Sequence, residues 1–462
     1  MKKNIYSELI IHVLKILDRR QKKSALILLL FMIIGMMFEI FLLKNLLFLL
    51  NFISKPVEEV PETIFFLKKI FSFEDASIVV LFLFIITFFI KILITILLKL
   101  KESKFIFSLK AQLSEKLFKG YLKLPFIYHQ RTNTAKMFKN ITVEVDQFSI
   151  LVFSLSTFVL EAIIFLGISS YLIFFNPFTS AICIFTFIMF GYFFNLFNKS
   201  KLREMSLDRI KHQEARIKSI MEAIAGIREI KLFAKESTVL QDFNVHNYAI
   251  SNISVSSSIR NALTKPAFEI FMLLFLSIFL FYFISQNILS ASIIPVFGVY
   301  LAAAYRLVPS ISQLVHSIQI MQFNLKCAKN LSDEINKFKI EESKKTQENC
   351  LITFNKDILI KSLSFSYQPE EENSKNLILE NIDFKINKGD LVGIQGKSGS
   401  GKSTLLDLIL GVLQLKEGSI EVDNKTINKN NFKSWHKLIG YVPQKITIIE
   451  ESIKNNILFG TN

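Results

Sequence analysis

Residues 393–404 read GIQGKSGSGKST, and the fold of the chain turns on how this run is understood. Its spacing, Gly396-x-x-x-x-Gly401-Lys402-Ser403, is that of a loop that wraps a phosphate chain. Glycines let the backbone curl and point its N–H groups inward, and a following helix adds the positive end of its dipole. Lys402 is placed to reach β- and γ-phosphates and Ser403 to ligate Mg²⁺. The motif needs a strand before it and a helix after it. Residues 390–395 are predicted as the strand and 403–413 as the helix.

Upstream, ILIKSLSFSY (358–367) and LILENIDFKI (377–386) alternate in the manner of strands. A soluble α/β domain is therefore predicted over 350–462, after a polar linker, EESKKTQEN, assigned to 341–349.

The preceding part of the chain is of another kind. Half of the 462 residues are hydrophobic, 47 of them Phe, and they fall in blocks at 24–52, 77–98, 148–175, 178–197, 266–285 and 293–318. A membrane-spanning helix needs about 20 such residues. The predicted architecture is thus a multidomain membrane protein: a six-helix all-α transmembrane domain over 24–340, behind an N-terminal segment 1–23, and then a partial α/β P-loop NTPase domain. Residues 1–23 mix charged and apolar types, and the first apolar run lacks a small-residue cleavage site, so no removable signal is read there.

The net charge of +16 is a matter of topology. Lys and Arg number ten in 99–147, twelve in 198–265 and seven before Ser24, against three in 52–76 and none in the two other connections. That asymmetry puts both termini on the cytoplasmic side and removes the need for a nucleic-acid partner. The basic connections read as helices extending below the membrane, broken at Leu124 and Pro125 in the first and somewhere in 233–243 in the second. Residues 52–76 read either as a short amphipathic external helix or as an irregular loop. The cysteines, Cys183, Cys327 and Cys350, show neither metal spacing nor a disulfide framework.

Ionisable residues within spans are costly and usually functional. Here they are Glu39, Lys44, Lys91, Glu161, Glu269 and Arg306. Two readings stay open. Lys91 and Arg306 line a cavity that attracts an anionic substrate headgroup, or they pair structurally, Glu39 with Lys91 or Glu161 with Arg306.

Six spans, long cytoplasmic helices and a phosphate loop together resemble the ATP-binding cassette exporters, as half-transporters with the membrane domain first. The resemblance covers nearly the whole chain, most closely LENIDFKINKGDLVGIQGKSGSGKSTLLDLILGVLQLKEGSIEVDN. It implies ATP and Mg²⁺ as ligands, with nucleotide contacts from Tyr367, Gly396, Ser398, Gly399, Ser400, Gly401, Lys402, Ser403 and Thr404. Tyr367, in FSY, stands where the family stacks an aromatic on adenine; the plain alternative is a strand aromatic. Gln444, in YVPQ, stands where the family's Q-loop touches Mg²⁺ and the attacking water; the plain alternative is a solvated Gln. Lys402 and Gln444 are the implied catalytic residues, and Ser403 and Gln444 the implied Mg²⁺ ligands. Residues 126–136 and 233–242 resemble the coupling helices. YRLVPSISQL, with Arg306 and Pro309, resembles a narrower group, the flippases of lipid-linked oligosaccharides.

The same resemblance implies a homodimer in the inner membrane, moving an amphipathic, anionic, lipid-linked substrate; a lipid, peptide or drug exporter of the same fold is the alternative. It also implies parts that 445–462 do not contain: a signature motif, an acidic strand end and a switch histidine. The sequence is accordingly expected to be C-terminally incomplete, and hydrolysis by 1–462 alone to be very slow; the alternative is a short protein that binds nucleotide without hydrolysing it. A P-loop kinase or GTPase on a membrane anchor fits less well, since six spans and long cytoplasmic helices exceed what an anchor requires.

Overall fold

The computed structural model describes residues 5–54, 73–175, 177–285, 293–343, 351–367, 377–415, 417–428, 430–444, 446 and 448–458. It divides into two compact units, Met1–Leu122 with Thr134–Lys337, and Lys123–Asn133 with Phe338–Asn462. The proposed external helix at 52–76 lies mainly outside the described residues.

Among the described residues, the secondary structure of the first unit is helical. Its elements are α1 (Ile5–Ile16), α2 (Arg19–Ser54), α3 (Phe73–Lys123), α5 (Thr134–Lys139), α6 (Val145–Phe175), α7 (Pro177–Ala225), α8 (Ile227–Leu232), α9 (Glu236–Ala262), α10 (Thr264–Ser285) and α11 (Ile293–Ser343), while α4 (Phe126–Arg131) belongs to the second unit. A π-helical turn, Asn140–Glu144, joins α5 to α6. Each apolar block lies within one long helix, because a helix satisfies its own backbone where water is absent. Among the described residues five helical stretches are long and apolar enough to cross a membrane: Arg19–Leu46, Leu81–Lys123, Thr134–Phe174, Ser180–Ala225 and Glu236–Ile278. The sixth block, 293–318, forms the N-terminal half of α11.

Helix ends follow the breakers. Pro125 starts α4, and Pro177 occupies the first position of α7, where its missing N–H costs nothing. The second break is narrower than predicted. Only 233–235 leave the helix, through Ala234 at φ 47°, and the rest of 233–243 belongs to α9. The polar stretch at 341–349 begins as helix, since α11 runs on to Ser343. Within α11, Pro309 supplies no N–H for the carbonyl of Tyr305.

Many phenylalanines do packing work. Phe268, fully buried, meets Phe190 edge-on at 5.0 Å, and Phe190 stacks on Phe271 at 4.3 Å, joining α7 to α10. Gly167 lets α2 approach α6, for a Cβ there would stand 2.5 Å from the Met36 sulfur. Beyond the apolar blocks the core turns polar. Arg209 donates to Gln147 Oε1 at 2.6 Å and Asn324 Oδ1 at 3.1 Å, with its guanidinium over the Phe323 ring. Buried Lys139 reaches Glu214 at 2.7 Å. His212 on α7 and His246 on α9 meet Nδ1 to Nδ1 at 3.0 Å.

The second unit is built on a four-stranded antiparallel sheet ordered β2-β1-β3-β4: β1 (Asp357–Phe365), β2 (Leu379–Asn387), β3 (Glu417–Val422) and β4 (Lys425–Thr426). One face carries Ile360, Phe365, Ile420 and Val422 into a core shared with Leu405, Leu408, Leu413 and Trp435, and Ile127 of α4 packs on it. β3 and β4 close through Asp423 and Asn424, both at positive φ, as a tight hairpin requires. Three backbone N–H groups, of Asn355, Lys356 and Asp357, bond the Asp423 carboxylate. Burial would raise its pKa, but these donors hold it below the usual value.

The strand predicted over 390–395 does not form. That run finds no ladder partner among the described residues, and Leu391, Val392 and Ile394 are exposed. A strand in this position needs neighbours brought from elsewhere in the chain, so alternation alone does not establish it.

Candidate functional site

The loop before α12 (Lys402–Ile409) is shaped by its glycines. Gly399 and Gly401 sit at φ 85° and 86°, which L side chains rarely adopt. A Cβ on Gly401 would also stand 2.9 Å from Leu379 Cδ2 and 3.2 Å from the Ile378 carbonyl oxygen. A Cβ on Gly396 would fall 2.6 Å from Ser400 Oγ. These positions keep the loop tight against the sheet and its inner side free of carbon. Gly401→Ala is expected to destabilise the second unit by about 1–3 kcal/mol, read as a lower denaturation midpoint for this unit. An unchanged midpoint would show that the loop does not require the conformation described.

Lys402 leads α12, and its ammonium donates to the carbonyls of Gly396 at 2.7 Å and Lys397 at 2.8 Å. It therefore spans the mouth of the loop, held by two acceptors that a phosphate oxygen can replace. Ser403 is exposed at the first turn of α12, with its hydroxyl open to a ligand. Thr404 is buried, and its hydroxyl lies 3.3 Å from the Tyr367 hydroxyl. Tyr367 also meets Phe365 edge-on at 5.1 Å, which anchors this aromatic beside the loop helix. Ser398 and Ser400 are exposed on the loop, and the Ser400 N–H closes a turn on Lys397. Partial burial raises the carboxyl of Asp407, one helical turn further on, above its usual value. The helix is shorter than predicted, ending at Ile409. Gln444 is exposed, and no hydrogen bond joins it to the loop among the described residues.

The structure brings together Tyr367, Gly396, Lys402, Ser403 and Thr404. The contact between Tyr367 and Thr404 is not legible from the motif, because it joins residues on either side of β2.

Lys91 and Arg306 are engaged by carboxylates. Lys91 Nζ lies 2.7 Å from Glu39 Oε2, and Arg306 Nε bonds the other oxygen of Glu39. Arg306 also reaches Glu161 at 3.8 Å, and Ser310 Oγ donates to Glu161 at 2.7 Å. Both pairings left open by the sequence occur, and buried Glu39 links them into one cluster drawn from α2, α3, α6 and α11. Its two cations and two anions cancel.

Comparison with known proteins agrees with this arrangement. Residues 24–306 match the family described as the ABC transporter transmembrane region, and 379–458 match the ABC transporter family. The heterocyst differentiation ATP-binding protein HepA of Nostoc sp. is 26% identical over 77% of this chain and 57% of its own length. An ATP-dependent lipid A-core flippase of Idiomarina loihiensis is 36% identical over 23% of this chain and 18% of its own. A solved bacterial Atm1-family ABC exporter with ATP bound is similar in fold, with a TM-score of 0.72 at 16% identity, covering 96% of this chain and 75% of that one. The chain spans 55–60% of the length of the curated relatives that match most of it.

Proposed function

Since the chain belongs to the ABC transporter family, we propose that it is one subunit of an ATP-driven exporter, working as a homodimer in the inner membrane with both termini cytoplasmic. The observation that supports this most is a loop pre-shaped for a phosphate chain, with Lys402 across its mouth, on a chain whose other unit is a bundle of apolar helices. Gly396, Ser398, Gly399, Ser400 and Gly401 would cradle the phosphates, and Lys402 would exchange its two carbonyls for phosphate oxygens. Ser403 and Gln444 would hold Mg²⁺, which when bound neutralises phosphate charge, and Tyr367 would lie against adenine.

The test is binding of a fluorescent ATP analogue with Mg²⁺ to the whole chain in detergent. Lys402→Ala should weaken it about 10–100-fold, as expected for losing charge-assisted hydrogen bonds to phosphate. Equal affinity in the variant would overturn the assignment.

The domain limits proposed are 1–23, 24–340, 341–349 and 350–462, with residues near 126–136 and 233–242 coupling nucleotide binding to the spans. For the cargo, we infer an amphipathic anionic lipid, with a lipid-linked oligosaccharide as the specific candidate. Lys91 and Arg306 would engage it by releasing Glu39 and Glu161. The balance of charge in that cluster favours a second reading, a lipid, peptide or drug that brings no anion to it.

A further inference from the structure

A polar cavity lies in the helical unit, apart from the cluster around Glu39. Its volume is about 290 Å³, and α1, α7 and α11 form its walls. Four cations line it: Lys199 and Arg203 from α7, Lys326 and Lys329 from α11. No carboxylate is among the lining residues, and none of the four cations forms a salt bridge among the described residues. The nearby acid Glu204 is taken by Lys201 at 2.9 Å. From α1 comes His12, whose Nδ1 is buried and finds no hydrogen-bond partner among the described residues. Leu207 and Leu325 add an apolar side.

Like charges gathered at a cavity repel one another unless an anion joins them. A buried ring nitrogen without a partner carries a desolvation cost that a ligand atom would remove.

Depth indicates where the anion comes from. Asn195 lies near the end of the apolar block at 178–197, and it accepts a hydrogen bond from Gln322 at 3.3 Å. That contact sets the level of α11 against the membrane boundary of α7. Lys199 and Arg203 follow within about two helical turns, as do Lys326 and Lys329 after Gln322. The α1 helix directly precedes the basic run at 19–23 and exposes Ile11 and Leu14, in the pattern of a helix resting in the interface. The cavity is thus at headgroup depth on the basic side of the membrane, where anionic lipids supply phosphate diesters.

We propose that this cavity binds the headgroup phosphate of an anionic membrane lipid, held by Lys199, Arg203, Lys326 and Lys329, with His12 Nδ1 as a further polar contact and the glycerol region against Leu207 and Leu325. The lipid is a resident ligand, separate from nucleotide and cargo. The assignment does not depend on the nucleotide reading.

The test uses the whole chain, delipidated in detergent, titrated with dioleoylphosphatidylglycerol, dioleoylphosphatidylcholine or inorganic phosphate, and followed by native mass spectrometry and by thermal unfolding. Phosphatidylglycerol should bind and raise the unfolding midpoint, while phosphatidylcholine should do neither. R203Q/K329Q should lower apparent phosphatidylglycerol affinity by about tenfold or more, as two charge-assisted hydrogen bonds are lost. Both side chains are exposed enough to change without disturbing packing, and the helical unfolding transition without lipid serves as the folding control. Equal phosphatidylglycerol affinity in the double variant, or equal binding of phosphatidylcholine, would overturn the proposal. Inorganic phosphate that displaces phosphatidylglycerol at millimolar concentration would overturn the lipid source and leave a site for free phosphate. K326Q alone should give a smaller loss in the same direction.

Discussion

Replacing Glu39 with Ala should cost the helical unit about 3–5 kcal/mol, the range for removing one partner of a buried ion pair. The Glu39 side chain is 6% exposed and receives Lys91 from one helix and Arg306 from another. Without it, both cations remain at a depth where water is scarce, and Glu161 at 3.8 Å from Arg306 is a poor substitute. The loss is expected as a fall in the unfolding midpoint of the whole chain in mixed micelles with increasing denaturing detergent. Glu39→Gln keeps the shape and removes the charge, so it should be nearly as damaging. Adding Lys91→Met, Arg306→Met and Glu161→Gln to Glu39→Gln should recover much of the loss, because replacing a whole buried charge cluster by uncharged groups is close to neutral. If Glu39→Ala unfolds where the unaltered chain does, the cluster does not hold the helices together.

The second large effect is expected at Phe365. This ring is 1% exposed, at the end of β1, within the core that includes Ile360, Leu405, Leu408 and Trp435. Truncation to Ala should cost about 3–5 kcal/mol, from lost transfer energy and the cavity left behind. It should also weaken nucleotide binding, since Tyr367 rests on Phe365 and bonds Thr404 at the loop helix. Hydrogen exchange of β1 and β2 amides reports the first effect, and the fluorescent analogue the second. Unchanged β1 protection would mean that the sheet does not depend on this ring.

What the sequence revealed was what local chemistry dictates. Helices α2, α3, α6, α7, α10 and α11 could be placed from apolar blocks, and Pro125 marked an end that the structure shows. The loop glycines could be named because their backbone conformation is tied to residue type. What failed required partners distant in the chain. Residues 390–395 read like a strand in sequence and have no ladder among the described residues. Glu39 could be paired with one cation from sequence, yet it takes two, from helices far apart in order. The grouping of 123–133 with the second unit has no composition signal, because it rests on Ile127 meeting a core made of later residues. The hairpin of β3 and β4 did carry a signal, Asp423 followed by Asn424 at the turn, though its strands are short.

Pro309 gives α11 a mechanical character. A helix with every rung in place passes a tilt of one end along its length, whereas a missing rung creates a level where bending is cheap. Arg306 precedes that level and Ser310 follows it, and both contact Glu161 of α6. The acid therefore acts as a splint laid across a joint. Flexing α11 there must stretch one of its two contacts against the other, so the carboxylate registers the curvature of the helix at the depth where the charges meet.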